Sequence, residues 1–198
     1  TSQASAPSPR RVTTVAAVKA AFDPKPTPGA KQAWLDAGQQ LLRDGGIAAV
    51  KLDALTRVLG LTTGSFYHHF DGMKRYLDDL ARLYGTDQVK ANLDDADVDD
   101  PRERIRQLGR IARRSQMRRL DAAMRDWAGS NPIAAESVRA ADEQLLLFMC
   151  RAFRDLGYST RDAQLRAQIL LSFGVARVTP PWKVLADNDD RMLEILAP

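Results

Sequence analysis

The chain has 198 residues, 29 Lys/Arg against 25 Asp/Glu, a formal charge of +4 and 44% hydrophobic residues. That length can bury a substantial core in one or two domains, and no apolar run approaches the ~20 residues of a membrane span. The single cysteine, Cys150, excludes an internal disulfide framework, and the N-terminal region has no apolar leader core, so a cytoplasmic protein is expected. Cys150 sits in the run Leu145-Leu146-Leu147-Phe148-Met149-Cys150 and reads as a buried, inert thiol. The charge is unevenly placed. Residues 1–90 hold 12 Lys/Arg and 8 Asp/Glu, while 91–198 hold 17 of each, so the whole excess lies in the first part, as expected if that part meets phosphate.

In chain order, residues 1–29 read as a flexible basic tail. Five prolines (Pro7, Pro9, Pro24, Pro26, Pro28) in a Ser/Ala/Thr background argue against packing. The tail is either a DNA-contacting arm or, the favoured reading, a solvated extension. A first helix is predicted from Ala30 to Asp44, with Trp34, Ala37, Leu41 and Leu42 as its apolar stripe and Gly45-Gly46 as its stop.

The next stretch, Leu52 to Phe70, reads as two short helices with a tight corner. Leu52, Leu55, Val58 and Leu59 form one stripe. Gly60 ends that helix because it adopts the left-handed conformation at little cost. Thr62 is the expected N-cap of the second helix, with Leu61 and Phe66 as a hydrophobic staple. Phe66 and Phe70 share an inward face; Gly64, Ser65, Tyr67 and His68 share the outward one. The pattern is that of a helix-turn-helix, whose second helix would enter a major groove with its first residues at the base edges; an ordinary solvent-exposed helix in an all-helical protein fits the same periodicity.

The run Leu59-Gly60-Leu61-Thr62-Thr63-Gly64-Ser65-Phe66-Tyr67-His68-His69-Phe70 resembles the recognition segment of the TetR family of bacterial transcriptional regulators. The resemblance implies an all-α protein: a three-helix DNA-binding domain over 30–75 and a helical effector-binding and dimerisation domain over 76–198. It implies operator DNA as partner. Thr62, Tyr67, His68 and Lys74 would meet phosphates, and Thr63, Gly64 and Ser65 would lie nearest the bases. It also implies a homodimer through about 161–177 and 187–196. Two departures remove cations from the DNA face. Thr63 stands where family members often carry Lys or Arg, and Met73 where they place a phosphate-binding Lys, which leaves Lys74 to take over.

Beyond Phe70, Asp71 is the expected N-cap of a helix through Tyr84. Residues 92–100 read as an acidic connector, with Pro101 opening the next helix. That helix is arginine-rich, Arg102 to Arg119, and its charges read as a solvated face paired with acids. Helices follow over Met117–Ala128, Pro132–Leu156, Arg161–Arg177 and Asp187–Leu196. The Arg161–Arg177 helix is apolar around much of its circumference, as a helix covered by a partner would be.

No catalytic residue is assigned. The two histidines, His68 and His69, are neighbours on a helix and diverge by ~100°, so they cannot share a metal, and no metal or cofactor is expected. The family implies a pocket for a small-molecule effector, and Met117, Leu120, Met124, Trp127, Phe148 and Phe173 are its candidate lining, each also readable as plain core. The competing readings are a non-specific structural DNA binder without an operator, and a helical enzyme that borrows the fold.

Overall fold

The computed structural model describes residues 30–85, 89–114, 116–176, 181, 183 and 188–198. The expected tail, 1–29, lies outside the described residues, as do Arg177 and Asp187 at the ends of two predicted helices. The described chain is all-α: α1 (Ala30–Gly45), a 3-10 turn (Ile47–Ala49), α2 (Leu52–Leu59), α3 (Thr63–His69), α4 (Met73–Leu83), α5 (Val89–Ala96), α6 (Pro101–Arg114), α7 (Met117–Ala128), α8 (Pro132–Asp155), α9 (Thr160–Val175) and α10 (Asn188–Leu196).

Local chemistry explains most of these boundaries. Asn131 caps α8, its Oδ1 accepting from the N–H groups of Ile133 and Ala134 at 2.9 and 3.0 Å, with Pro132 opening the helix. Ser159 caps α9 by accepting from the Asp162 N–H at 3.1 Å. Asp100 accepts from the Arg102 and Glu103 N–H groups at 2.8 and 2.9 Å, which starts α6.

Three expectations fail. Asp71 does not cap α4: Gly72, with φ 135°, is the N-cap residue and supplies no side-chain bond. The acidic connector is half helix, because α5 takes in Asn92–Ala96 and buries Val89 and Ala96 against the body. Acidic side chains on one face do not stop a helix whose other face is apolar. Val58 is 44% exposed, so the inner stripe of α2 is Leu55 with Leu52 and Leu59 beside it.

The N-terminal helices close on an aromatic cluster. Trp34, Phe66, Phe70 and Tyr76 come from α1, α3, the α3 end and α4, and all are buried. Phe66 meets Trp34, Phe70 and Tyr76 with ring centroids 5.3, 5.2 and 5.4 Å apart. The Tyr76 hydroxyl donates to the Trp34 carbonyl at 2.8 Å, and burial pushes its pKa up. The ring fits only because α1 has no side chain at Gly38, where a Cβ would meet Tyr76 Oη at 1.9 Å.

α4 then runs from this cluster to the body. At its end, Gly85 lies so close to α8 that a Cβ would meet the Ser137 carbonyl oxygen at 2.7 Å, and Gln144 Nε2 donates to the Gly85 carbonyl at 2.7 Å. Tyr84 Oη donates to Asp121 Oδ1 at 2.7 Å; Asp121 also meets Arg125 Nε at 2.9 Å; Arg125 grips both oxygens of Asp142 on α8. One polar chain thereby joins α4, α7 and α8. On the far side, Arg104 of α6 binds Asp97 and Asp155 at 3.0 and 2.7 Å, so this part of the arginine face is paired with acids as expected.

Gly38→Ala should destabilise the fold by about 1–3 kcal/mol in urea unfolding, because the added methyl meets the Tyr76 hydroxyl. Tyr76→Phe in the same chain removes the blocking oxygen together with one hydrogen bond, and should recover part of that loss.

Candidate nucleic-acid interface

α3 is seven residues long and cannot stand alone, since an isolated helix of that length is unstable in water. Packing and capping hold it. Gly60 takes φ 65°, which closes α2 and turns the chain. Thr62 is the N-cap, its Oγ1 accepting from the Ser65 N–H at 3.3 Å. Phe66 and Phe70 point into the aromatic cluster, which leaves the opposite face outward.

That face carries the expected set. Thr62, Thr63, Gly64, Tyr67 and His68 are exposed and Ser65 is half-buried. Tyr67 is 59% exposed although it is a large aromatic, and its ring is propped edge-on against Phe66 at 5.4 Å. At Gly64 a Cβ would meet only Thr62 Oγ1, at 3.7 Å. The fold therefore has room for a side chain there, and the smooth backbone is a feature of the outer surface alone.

Lys74 is the second residue of α4, exposed and tied to Asp78 by an i,i+4 pair at 3.3 Å. Such a pair is weak in water, and a phosphate can replace the carboxylate. The sequence marks Lys31 only as one of the basic residues at the start of the chain. From α1 it reaches Asp79 at 2.8 Å and lies over the Phe70 ring at 5.2 Å. Asp79 also meets Arg75 at 3.4 Å, so α1 and α4 are clamped behind the recognition helix. The two partners stand 48 positions apart, and no local pattern announces such a pair.

His69, half-buried beside His68 and Lys31, has its pKa lowered from 6.5, first by desolvation and then by those two neighbours. The unfolded chain thus binds this proton more readily than the folded one. The stability that neutral His69 contributes is complete above about pH 6.5 and is lost as pH falls through its depressed folded value. His69→Gln should flatten that part of the profile in urea midpoints taken from about pH 8 down to about pH 5.

The second candidate set divides. A cavity of about 210 Å³ lies between α6, α7, α8, α9 and α10, and of the six predicted lining residues Met117 and Phe173 reach it. Leu120, Met124, Trp127 and Phe148 are buried in the body's core instead, away from the cavity wall. Phe173 stands at the rim, 51% exposed. The wall also contains Tyr84, Asp121, Arg106 and Arg110, none of them foreseen, because the cavity forms where five helices fail to meet and has no sequence signature. Cys150 is half-buried rather than buried. Among the described residues, no group of three or more His, Cys, Asp or Glu could hold a metal ion, and no helix is long and apolar enough to cross a membrane.

Residues 35–76 match the family model of bacterial regulatory proteins of the tetR family, which covers α2, α3 and most of α1. No curated protein matches the chain in sequence. Among solved structures, a transcriptional regulator from Rhodococcus sp. Rha1 shares the fold with a TM-score of 0.66 at 18% identity, over 84% of this chain and 93% of that one. A TetR-family transcriptional regulator from Agrobacterium tumefaciens gives 0.61 at 19% identity, over 73% and 83%. A transcriptional regulator from Aquifex aeolicus VF5 gives 0.56 at 15%, over 85% and 96%. These likenesses establish the architecture, and the family match shows that residues 35–76 carry the helix-turn-helix domain of bacterial regulatory proteins of the tetR family.

Proposed function

We propose that this regulator is a cytoplasmic homodimeric repressor that binds a palindromic operator and is released from it by a small molecule held in the helical body. Residues 30–75 read the DNA, and residues 76–198 hold the effector and the partner subunit. The observation that carries the reading is the outer face of α3: a threonine-capped start, a bare Gly64 that the fold does not require, and an exposed Tyr67 and His68. Thr63, Gly64 and Ser65 lie at the end of the helix that enters the groove. Thr62, Tyr67, His68 and Lys74 surround them as phosphate ligands.

The dimer rests on an inverted pattern in α9. Its small residues Ala163 and Ala167 are buried against the body, while Leu165, Ile169 and Phe173 are exposed at i, i+4 and i+8. A helix that turns its large apolar side chains outward is built for cover by another chain. Leu147 on α8 and Ile195 on α10, 65% and 70% exposed, extend the same character to neighbouring elements. Two copies paired through these helices present two recognition helices, and ~34–36 Å between them matches successive major grooves. Ligand in the cavity favours a dimer geometry that departs from that spacing, with α4 and the Tyr84–Asp121 bond as the connection.

Selection from random duplexes at about 150 mM salt should enrich an inverted repeat; retention without any enriched sequence would favour a structural DNA binder. On the selected operator, Tyr67→Ala and His68→Ala should each weaken binding, and removing the Lys74 charge should lower the salt-dependence slope by about one. Gly64→Ala separates the two roles of α3. It should leave thermal stability unchanged or raise it by up to ~1 kcal/mol, while lowering operator affinity by about tenfold or more.

A further inference from the structure

The cavity of the helical body is apolar inside and cationic at its edge. Leu108, Leu145, Met149, Leu170 and Leu193 form its walls, and Arg106, Arg110, Arg113 and Arg118 stand on its lining. Two acids share that lining, Asp121 and Asp190. Asp121 already accepts the Tyr84 hydroxyl at 2.7 Å and Arg125 Nε at 2.9 Å, so its charge is answered from behind the wall. Asp190 of α10 meets Arg106 Nε of α6 at 3.2 Å. A cationic ligand would find both carboxylates engaged and four guanidinium groups around it. An anion would meet net positive charge, four guanidinium groups against two carboxylates on the lining.

The arginines can take a further acceptor. A guanidinium carries five N–H donors, so Arg106 can hold a second carboxylate beside Asp190. Arg110 is oriented by Gln107, with Nε and Nη2 donating to its Oε1 at 3.0 and 2.7 Å, and by Glu103. The room is set by Gly109, a helix-interior glycine on the lining of α6. Its missing Cβ would find nothing nearer than Arg113 Nη1, at 3.7 Å. Glycine is unfavourable inside a helix, and here its gain is the space it leaves. A cavity of about 210 Å³ is somewhat larger than the ~150 Å³ that holds benzene, which sets the ligand at about ten non-hydrogen atoms.

From this geometry we infer that the body binds a small amphipathic organic anion, an aliphatic or aromatic carboxylate whose apolar part enters between α6, α8 and α9 and whose carboxylate stays at Arg106 and Arg110. The inference rests on the effector-release reading above and specifies the chemical class of the effector.

The test uses octanoate and phenylpropionate as probes, with octylamine and octanol as controls of matching shape, on the full chain by isothermal calorimetry and thermal shift. The carboxylates should bind saturably and raise Tm, and octylamine should not. Arg106→Gln and Arg110→Gln should each weaken carboxylate binding about tenfold or more. Gly109→Leu should abolish it with Tm unchanged or raised, which guards against loss by misfolding. Octylamine or octanol binding as tightly as octanoate, octanoate binding unaltered in Gly109→Leu, or no carboxylate binding at all would overturn the inference. A carboxylate that binds without releasing the selected operator leaves the anion site standing and removes the release mechanism. Release by an amine or alcohol, with no effect of the carboxylates, does the opposite.

Discussion

The burial of Phe66 among Trp34, Phe70 and Tyr76 is the constraint on which the DNA-reading end depends. α3 is too short to be a helix by propensity, and its inward ring is what fixes both its existence and its rotation. Once Phe66 points inward, helical geometry turns Gly64, Tyr67 and His68 outward. The same packing reaches back to Gly38, because the Tyr76 hydroxyl can approach α1 only where a side chain is missing. The composition of the exposed face of α3 thus begins with an aromatic contact inside the protein.

α4 makes that contact matter elsewhere. Its first part supplies Tyr76 to the aromatic cluster and Asp79 to the Lys31 clamp, and its end delivers Tyr84 to Asp121 on the cavity wall. Both ends are anchored by backbone-close packing, at Gly38 and Gly85 respectively, so displacement of one end has little slack to absorb it. A physical connection between cavity and recognition helix is therefore present in a single helix, and the proposed release by ligand uses it.

The body shows how arginine-rich segments divide their work. Arg104 is nearly buried and serves the fold through Asp97 and Asp155, and Arg125 does the same through Asp121 and Asp142. Arg106 and Arg110, on the next turns of α6, pair with Asp190 and Glu103 and stand on the lining of an apolar cavity. Identical residue types on one helix thus end in the packed interior or on a cavity wall according to the direction each faces. The exposed large side chains of α9 follow a similar logic, since its small residues are the ones that fit against α8.

Some features of this protein are written locally. Gly60 in the left-handed region, Thr62 as N-cap, Phe66 and Phe70 inward and Asn131-Pro132 at a helix start are all set by residues within four positions of one another, and sequence periodicity exposes them. The composition of α3's outer face was legible for the same reason, as was the all-helical class. What depends on distant residues was not legible. The Lys31–Asp79 clamp, the Tyr84–Asp121–Arg125–Asp142 chain, the helix over the acidic stretch at α5 and the passage of Leu120, Met124, Trp127 and Phe148 into core rather than cavity wall were decided only when the helices packed. A helix announces which face is apolar, but whether that face meets another side chain or an empty space is set by the distance and angle between helices.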